Sequence, residues 1–207
     1  MSTYYILIPL ALVILVLMFK GGSKSKDKPL PTPKPLPRSP RWLFFGPNGI
    51  TGSPTSQGSG YTFDFLNHAG DRPRYVIGPP PPPMVVGQTL TMAYNITGSG
   101  FVAQEHPEQV ASTSLYIQGQ GDISNIGVRW WSQKALPLVA GGGNFSVLLD
   151  PLQWINAEGQ HDPVAFAKAI GNPAYVGNTF GSENGRGHGV YATQPSEFTL
   201  ISMGVQR

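Results

Sequence analysis

The strongest constraint on this chain is its first stretch. Residues 1–19 hold no charged side chain, and residues 4–19, YYILIPLALVILVLMF, are almost purely apolar. As a helix, nineteen residues span roughly 28 Å, close to the ~30 Å hydrocarbon core of a bilayer. The run has no polar face to turn toward water, which separates it from a helix of a soluble core. Pro9 removes one helical hydrogen bond, a loss that membrane helices tolerate. Tyr4 and Tyr5 at one end, and Phe19 and Lys20 at the other, suit the two membrane interfaces. A cleaved signal peptide needs basic residues ahead of the apolar run and small residues at a cleavage site after it. No Lys or Arg precedes Tyr4, and the run ends in Met18, Phe19 and Lys20. The sequence therefore predicts a retained, single-span transmembrane anchor.

The flanks give the orientation. Lys20, Lys24, Lys26 and Lys28 all follow the apolar run, and the positive-inside rule then places the C-terminal body on the cytoplasmic side. Lys24, Lys26 and Lys28 are placed to contact anionic headgroups, at about 1 kcal/mol each. Residues 29–41, PLPTPKPLPRSPR, carry Pro at 29, 31, 33, 35, 37 and 40, which excludes helix and sheet and favours polyproline II. At about 3.1 Å per residue this makes a semi-rigid spacer of roughly 40 Å. Three parts follow: an anchor at 1–19, a basic and Pro-rich spacer at 20–41, and a folded body at 42–207.

Charge separates the parts. Residues 20–41 hold seven Lys/Arg and one acid, whereas residues 42–207 hold seven Lys/Arg against ten acids. The body is thus slightly acidic, which argues against nucleic acid as a partner. Cysteine is absent, so disulfides, thiolate catalysis and Cys-ligated zinc are excluded.

From Trp42 onward apolar residues come in short runs broken by Gly, Pro, Asn and Ser. Residues 88–97, QTLTMAYNIT, place Leu90, Met92, Tyr94 and Ile96 on one face of a half-buried strand. Further strands are expected at 61–65, 74–77, 114–118, 126–131, 145–149, 175–180, 189–192 and 197–205. Asp162, Pro163 and Gly171 supply an N-cap, a first helical position and a left-handed stop, so residues 163–170 read as a short helix. Its apolar face is expected to hold Val164, Phe166, Ala167 and Ile170, and a further single turn is expected at 106–111. The five prolines at 79–83 must form a rigid crossing or an edge segment. The body reads as mainly β: an antiparallel β-sandwich or jelly roll with one short helix.

Signals for chemistry are sparse. His68, His106, His161 and His188 show no metal-ligand spacing, and no GxSxG nucleophile context occurs. Asp150 with Glu158 is a candidate acid pair for hydrolysis, although Asp150 before Pro151 reads better as a turn residue. No cofactor is called for. The sequons at Asn95 and Asn144 fall in expected strands and are read as chance matches. The candidate contacts for a protein partner or a glycan are Arg129, Trp130, Trp131, Trp154, Arg186 and His188. Trp130 and Trp131 must point to opposite faces of a strand, so one of them is expected on the outer face. The glycine-rich 180–189, FGSENGRGHG, brings Arg186 and His188 onto a loop.

Two resemblances add to this reading. The succession GQTLTMAYNIT, GVRWW, FSVLLDP and EFTLISMGV resembles jelly-roll sandwiches of the carbohydrate-binding-module type in layout over about 120 residues. The single anchor, the PTPKPLP spacer and the β body together resemble membrane-associated minor capsid proteins of viruses with an internal lipid membrane. The resemblances imply a non-catalytic protein that links a bilayer to shell or capsid subunits. The alternatives are an envelope-anchored glycan-binding module and a tethered hydrolase.

Overall fold

The computed structural model describes residues 41–46, 49–68, 74–121 and 125–207. The expected anchor, with Tyr4, Tyr5, Phe19 and Lys20, lies outside the described residues. So does the spacer with Lys24, Lys26 and Lys28, apart from Arg41. Among the described residues no helix is long and apolar enough to cross a membrane.

The body is mainly β with one α-helix among the described residues. Its early strands are β1 (Leu43–Gly46), β2 (Gly49–Gly52), β3 (Thr55–Gln57), β4 (Gly60–Asp64) and β5 (Tyr75–Gly78). Then come β6 (Thr89–Thr97), β7 (Phe101–Ala103), β8 (Ser112–Gly119), β9 (Arg129–Ser132) and β10 (Leu136–Pro137). The last are β11 (Gly141–Leu148), β12 (Trp154–Asn156), β13 (Pro173–Gly181), β14 (Val190–Ala192) and β15 (Glu197–Gln206). Helix α1 (Pro163–Gly171) lies between β12 and β13.

All observed pairings are antiparallel. The first sheet runs β12-β9-β8-β13-β5-β1-β2, with β10 also on β8, and the second runs β11-β6-β15-β4-β3. A small ribbon pairs β14 with β7. Eight strands carry the connectivity: β4, β5, β6, β8, β9, β11, β13 and β15. The first of them pairs with the last, β5 with β13, β6 with β11, and β8 with β9. The chain is one long nested hairpin folded over, and it crosses between the sheets as it goes. One crossing is the segment 79–83, where the five prolines leave β5 for β6; Met84 N–H then donates to Ile170 O at 3.0 Å.

The two sheets share one apolar cluster. Phe63 of β4 meets Phe180 of β13 edge-on at 5.4 Å, and Phe198 of β15 meets Phe180 at 5.2 Å. Such pairs add about 0.5–1.5 kcal/mol beyond simple burial. Within this cluster Asn178 is satisfied by side chains from both sheets: it accepts from the Tyr61 hydroxyl at 3.2 Å and donates to Met92 Sδ at 3.0 Å, both of the second sheet, and to Thr113 Oγ1 of the first at 3.4 Å.

The helix forms as its capping residues require. Asp162 accepts from the N–H groups of Val164 and Ala165, and Pro163 opens the first turn. Its buried face differs from the expected one. Phe166, Ala169 and Ile170 are buried, while Val164 is 78% exposed and Ala167 is exposed too. The spacing of three and four residues decides this, and 164 and 167 fall on the water side. Gly171 does not serve as a left-handed stop; the helix runs through it, and Asn172 N–H closes on Lys168 O.

Nine expected strands fall on observed ones, with β11 starting four residues earlier than expected, at Gly141, and β9 starting later. Residues 126–128 form a 3-10 turn, because the Asn125 side chain caps Gly127 N–H at 3.0 Å, and β9 begins only at Arg129. The segment 106–111 holds a single hydrogen-bonded turn, Gln109 N–H to His106 O, and no helix.

Candidate functional site

The alternation of β9 sorts its two tryptophans. Trp130 points into the shared core with 0% exposure and packs on Phe166 at 5.2 Å. Trp131, the next residue, lies on the outer face of the first sheet and is half-buried. Trp154 is also 0% exposed, and its indole N–H donates to Leu148 O at 2.9 Å. Trp130 and Trp154 are therefore not surface contacts. Helix α1 covers both, because Phe166 stands between them, 5.7 Å from Trp154.

The outer face of the first sheet has its own aromatic layer. Phe45, Tyr75, Ile77, Tyr116 and Tyr175 form it, with Leu43 and Trp131 packed alongside. Phe45 lies 5.8 Å from Tyr75, and Tyr75 lies 5.0 Å from Tyr116. Arg129, two residues before Trp131, shares that face. Its guanidinium sits 5.6 Å above the Phe45 ring and close enough to the Tyr75 hydroxyl to favour its ionisation.

The loop between β13 and β14 closes over this layer. Ser182 Oγ accepts from Gly185 N–H at 3.0 Å, and Ser182 N–H and His188 N–H both donate to Gly185 O. Gly187 is required here. Its φ is +77°, and a Cβ would stand 2.1 Å from the Tyr75 hydroxyl. The loop holds Arg186 against the sheet: its Nη2 donates to Gln133 O at 2.9 Å and its Nη1 to Glu183 O. Burial lowers the Arg186 pKa, and the Glu183 charge pulls it partly back. His188 Nδ1 stands 2.6 Å from a Glu105 carboxylate oxygen.

These residues meet at one cleft of about 440 Å³, lined by Arg74, Arg129, Arg186 and His188 together with Phe45, Tyr75, Trp131 and Ile126. Four of the six expected contacts, Arg129, Trp131, Arg186 and His188, are thus gathered in one place. Burial raises the Tyr75 pKa; the Arg129 charge and hydrogen bond, the Arg74 charge and the Trp131 indole oppose that rise. The Trp131 N–H lies near enough to that hydroxyl to favour its ionisation, yet it reaches hydrogen-bond geometry with no acceptor. Arg74, Tyr75 and Phe45 were not singled out from sequence. For Phe45 and Tyr75 the only signal was a strand face that cannot be read until the sheet order is known, and Arg74 stands just ahead of β5.

Larger hollows exist elsewhere, but their chemistry is plainer. The trough on the second sheet is lined by Thr55, Ser56, Gln57, Thr62, Asn95, Glu197, Thr199 and Ile201, with no cation. Among the described residues no three of His, Cys, Asp and Glu are grouped to hold a metal ion. Asp150 is engaged as the cap of a 3-10 turn, accepting from Leu152 N–H at 3.0 Å. His161 is held by Pro151 O at 3.0 Å. Comparison with protein-family models, with curated proteins and with solved structures finds no match for this chain.

Proposed function

We propose that this chain is a non-catalytic, membrane-tethered structural protein whose β body docks on a protein partner and links a bilayer to a protein shell. The nested pairing of β4 with β15, β5 with β13, β6 with β11 and β8 with β9 carries this reading. It is the connectivity of a jelly-roll sandwich, an architecture used by viral capsid and lectin domains. Fold alone does not assign function, so the sequence outside the body supplies the second support. Residues 1–19 insert, residues 20–28 lie at the headgroups and residues 29–41 set the gap to the shell. This is the arrangement of minor capsid proteins in viruses with an internal membrane. The gathering of Arg129, Trp131, Arg186 and His188 at one cleft supports the docking part of this reading.

Flotation with lipid vesicles tests the tether. The full chain should float with the vesicles, and residues 42–207 alone should stay in the aqueous fraction. Leu12→Arg with Leu15→Arg should release the full chain, since each Arg costs about 2.5–3.5 kcal/mol at a helix centre. Vesicle retention of residues 42–207 alone would contradict the proposal. The outer-face position of Trp131 favours a second reading, a glycan-binding module on a cell envelope. Glycan-array binding that disappears in Trp131→Ala would support it.

A further inference from the structure

We infer that the arginine-lined cleft is a carboxylate-recognition site that takes an acidic segment of the docked protein. Arg74 and Arg186 supply charge to it, and Trp131 with Ile126 supplies the apolar wall; the inference rests on the docking reading above.

The first argument is charge. Residues 42–207 hold more acids than bases, yet three of their seven Lys/Arg line this one cleft, and among the described residues no Asp or Glu lines it. Gathering like charges is unfavourable unless something opposes them, and a cleft focuses the resulting field. Two described acids are paired with histidines: Glu105 with His188, itself a lining residue, at 2.6 Å, and Glu108 with His106 at 3.4 Å. Arg186 is held by two carbonyl oxygens, and the nearby Glu183 charge only partly offsets the effect of its burial.

The second argument is the balance of donors and acceptors. Arg186 Nε and Trp131 Nε1 are both buried without an acceptor. With the guanidinium N–H groups they leave this wall rich in donors. An ionised carboxylate accepts only, and its two oxygens match the planar fork of an arginine.

The third argument chooses the class of partner. Stacking a sugar ring needs an open aromatic face. Here Phe45 is 8% exposed, Tyr75 is 7% exposed and Trp131 is half-buried, so little ring surface is offered. The exposed apolar atoms belong to Ile126 at the rim, 50% exposed. About 440 Å³ has room for an acidic side chain and an apolar neighbour on a polypeptide. The self-bonded turn around Gly185 holds Arg186 in place before binding, which lowers the ordering cost.

The test uses the full chain in detergent micelles and a fluorescent polyglutamate peptide, with an oligouronate saccharide and inorganic phosphate as competitors. Polyglutamate should bind, and Arg74→Gln and Arg186→Gln should each weaken it about tenfold, the loss of one charged hydrogen bond. Lys168→Gln on the exposed side of α1 should change nothing. Ala157→Asp, which adds a carboxylate to the lining and keeps every arginine, should weaken binding as well and serves as the check if an arginine variant misfolds. Binding unaffected by all three cleft changes belongs to the basic segment 20–41 and overturns the inference. Absence of binding overturns it too, as does displacement by oligouronate or by phosphate at lower concentration than free glutamate peptide. Flotation of the same samples separates the two proposals: a chain that floats but ignores polyglutamate refutes only the cleft assignment.

Discussion

The two faces of the first sheet use aromatic residues in different ways. On the inner face Trp130, Phe180 and Val176 meet the second sheet or the helix, and the polar residue among them, Asn178, is satisfied by Tyr61, Met92 and Thr113. On the outer face Trp131, Tyr75 and Phe45 stand beside Arg129, Arg74 and Arg186, and two N–H donors lack acceptors. One face is packed and hydrogen-bonded within the chain except at the Trp130 indole N–H, which is buried without an acceptor. The other gathers arginines at a cleft and leaves the Arg186 Nε and Trp131 Nε1 groups without acceptors among the described residues. That difference puts the packed core on one side of the sheet and, on the reading proposed above, the docking surface on the other.

The largest expected break of this comparison comes from the neighbouring tryptophans. Trp130→Ala should cost about 3–5 kcal/mol of unfolding free energy in denaturant, because it empties a fully buried site. Trp131→Ala should cost about 1 kcal/mol or less and act on partner binding instead. Equal losses of stability would erase the distinction between the faces. Next in size is Asn178→Leu. It strands the Tyr61 hydroxyl in the core and should cost about 1–3 kcal/mol, seen as a lower denaturant midpoint.

The smallest effect is absent at neutral pH and appears only in alkali. Burial raises the pKa of Tyr61 inside and Tyr116 outside well above 10.0, and that of Tyr75 less strongly, opposed by Arg129. In unfolded chain these phenols ionise near pH 10, while the folded protein keeps them protonated. The unfolded state then binds fewer protons, so stability is full below that pH and falls as pH rises through and beyond it. An ultraviolet titration should show Tyr75 ionising before Tyr61 and Tyr116. Simultaneous ionisation of all three before unfolding would remove the role given to Arg129.

Long strands were legible because their alternation survives in the sequence. Leu90, Met92 and Ile96 are buried while Asn95 and Thr97 are exposed, as the period of two requires. By contrast, β1, β2 and β3 were missed, since LFFGPNGITGSPTSQ carries the Gly, Pro and Ser of a loop. Their strand character comes from partners: β1 from β5, and β3 from β4. The site was half legible. Arg186 and His188 were marked by their glycine-rich loop, and Arg129 and Trp131 by their place in β9. Arg74 entered only because β13 lies between β5 and β8 and joins them in one sheet. Trp130 and Trp154 were over-read, because composition cannot say that Phe166 of a two-turn helix will cover both.

The most direct measurement of the central claim, a tethered body that docks on a partner, is protease accessibility of the full chain inserted in sealed membranes. The account predicts that residues 42–207 are cut by protease on the cytoplasmic side and protected from protease added outside, with a short membrane-bound remnant left behind. A body digested only from outside, or released into solution intact without any protease, would contradict it.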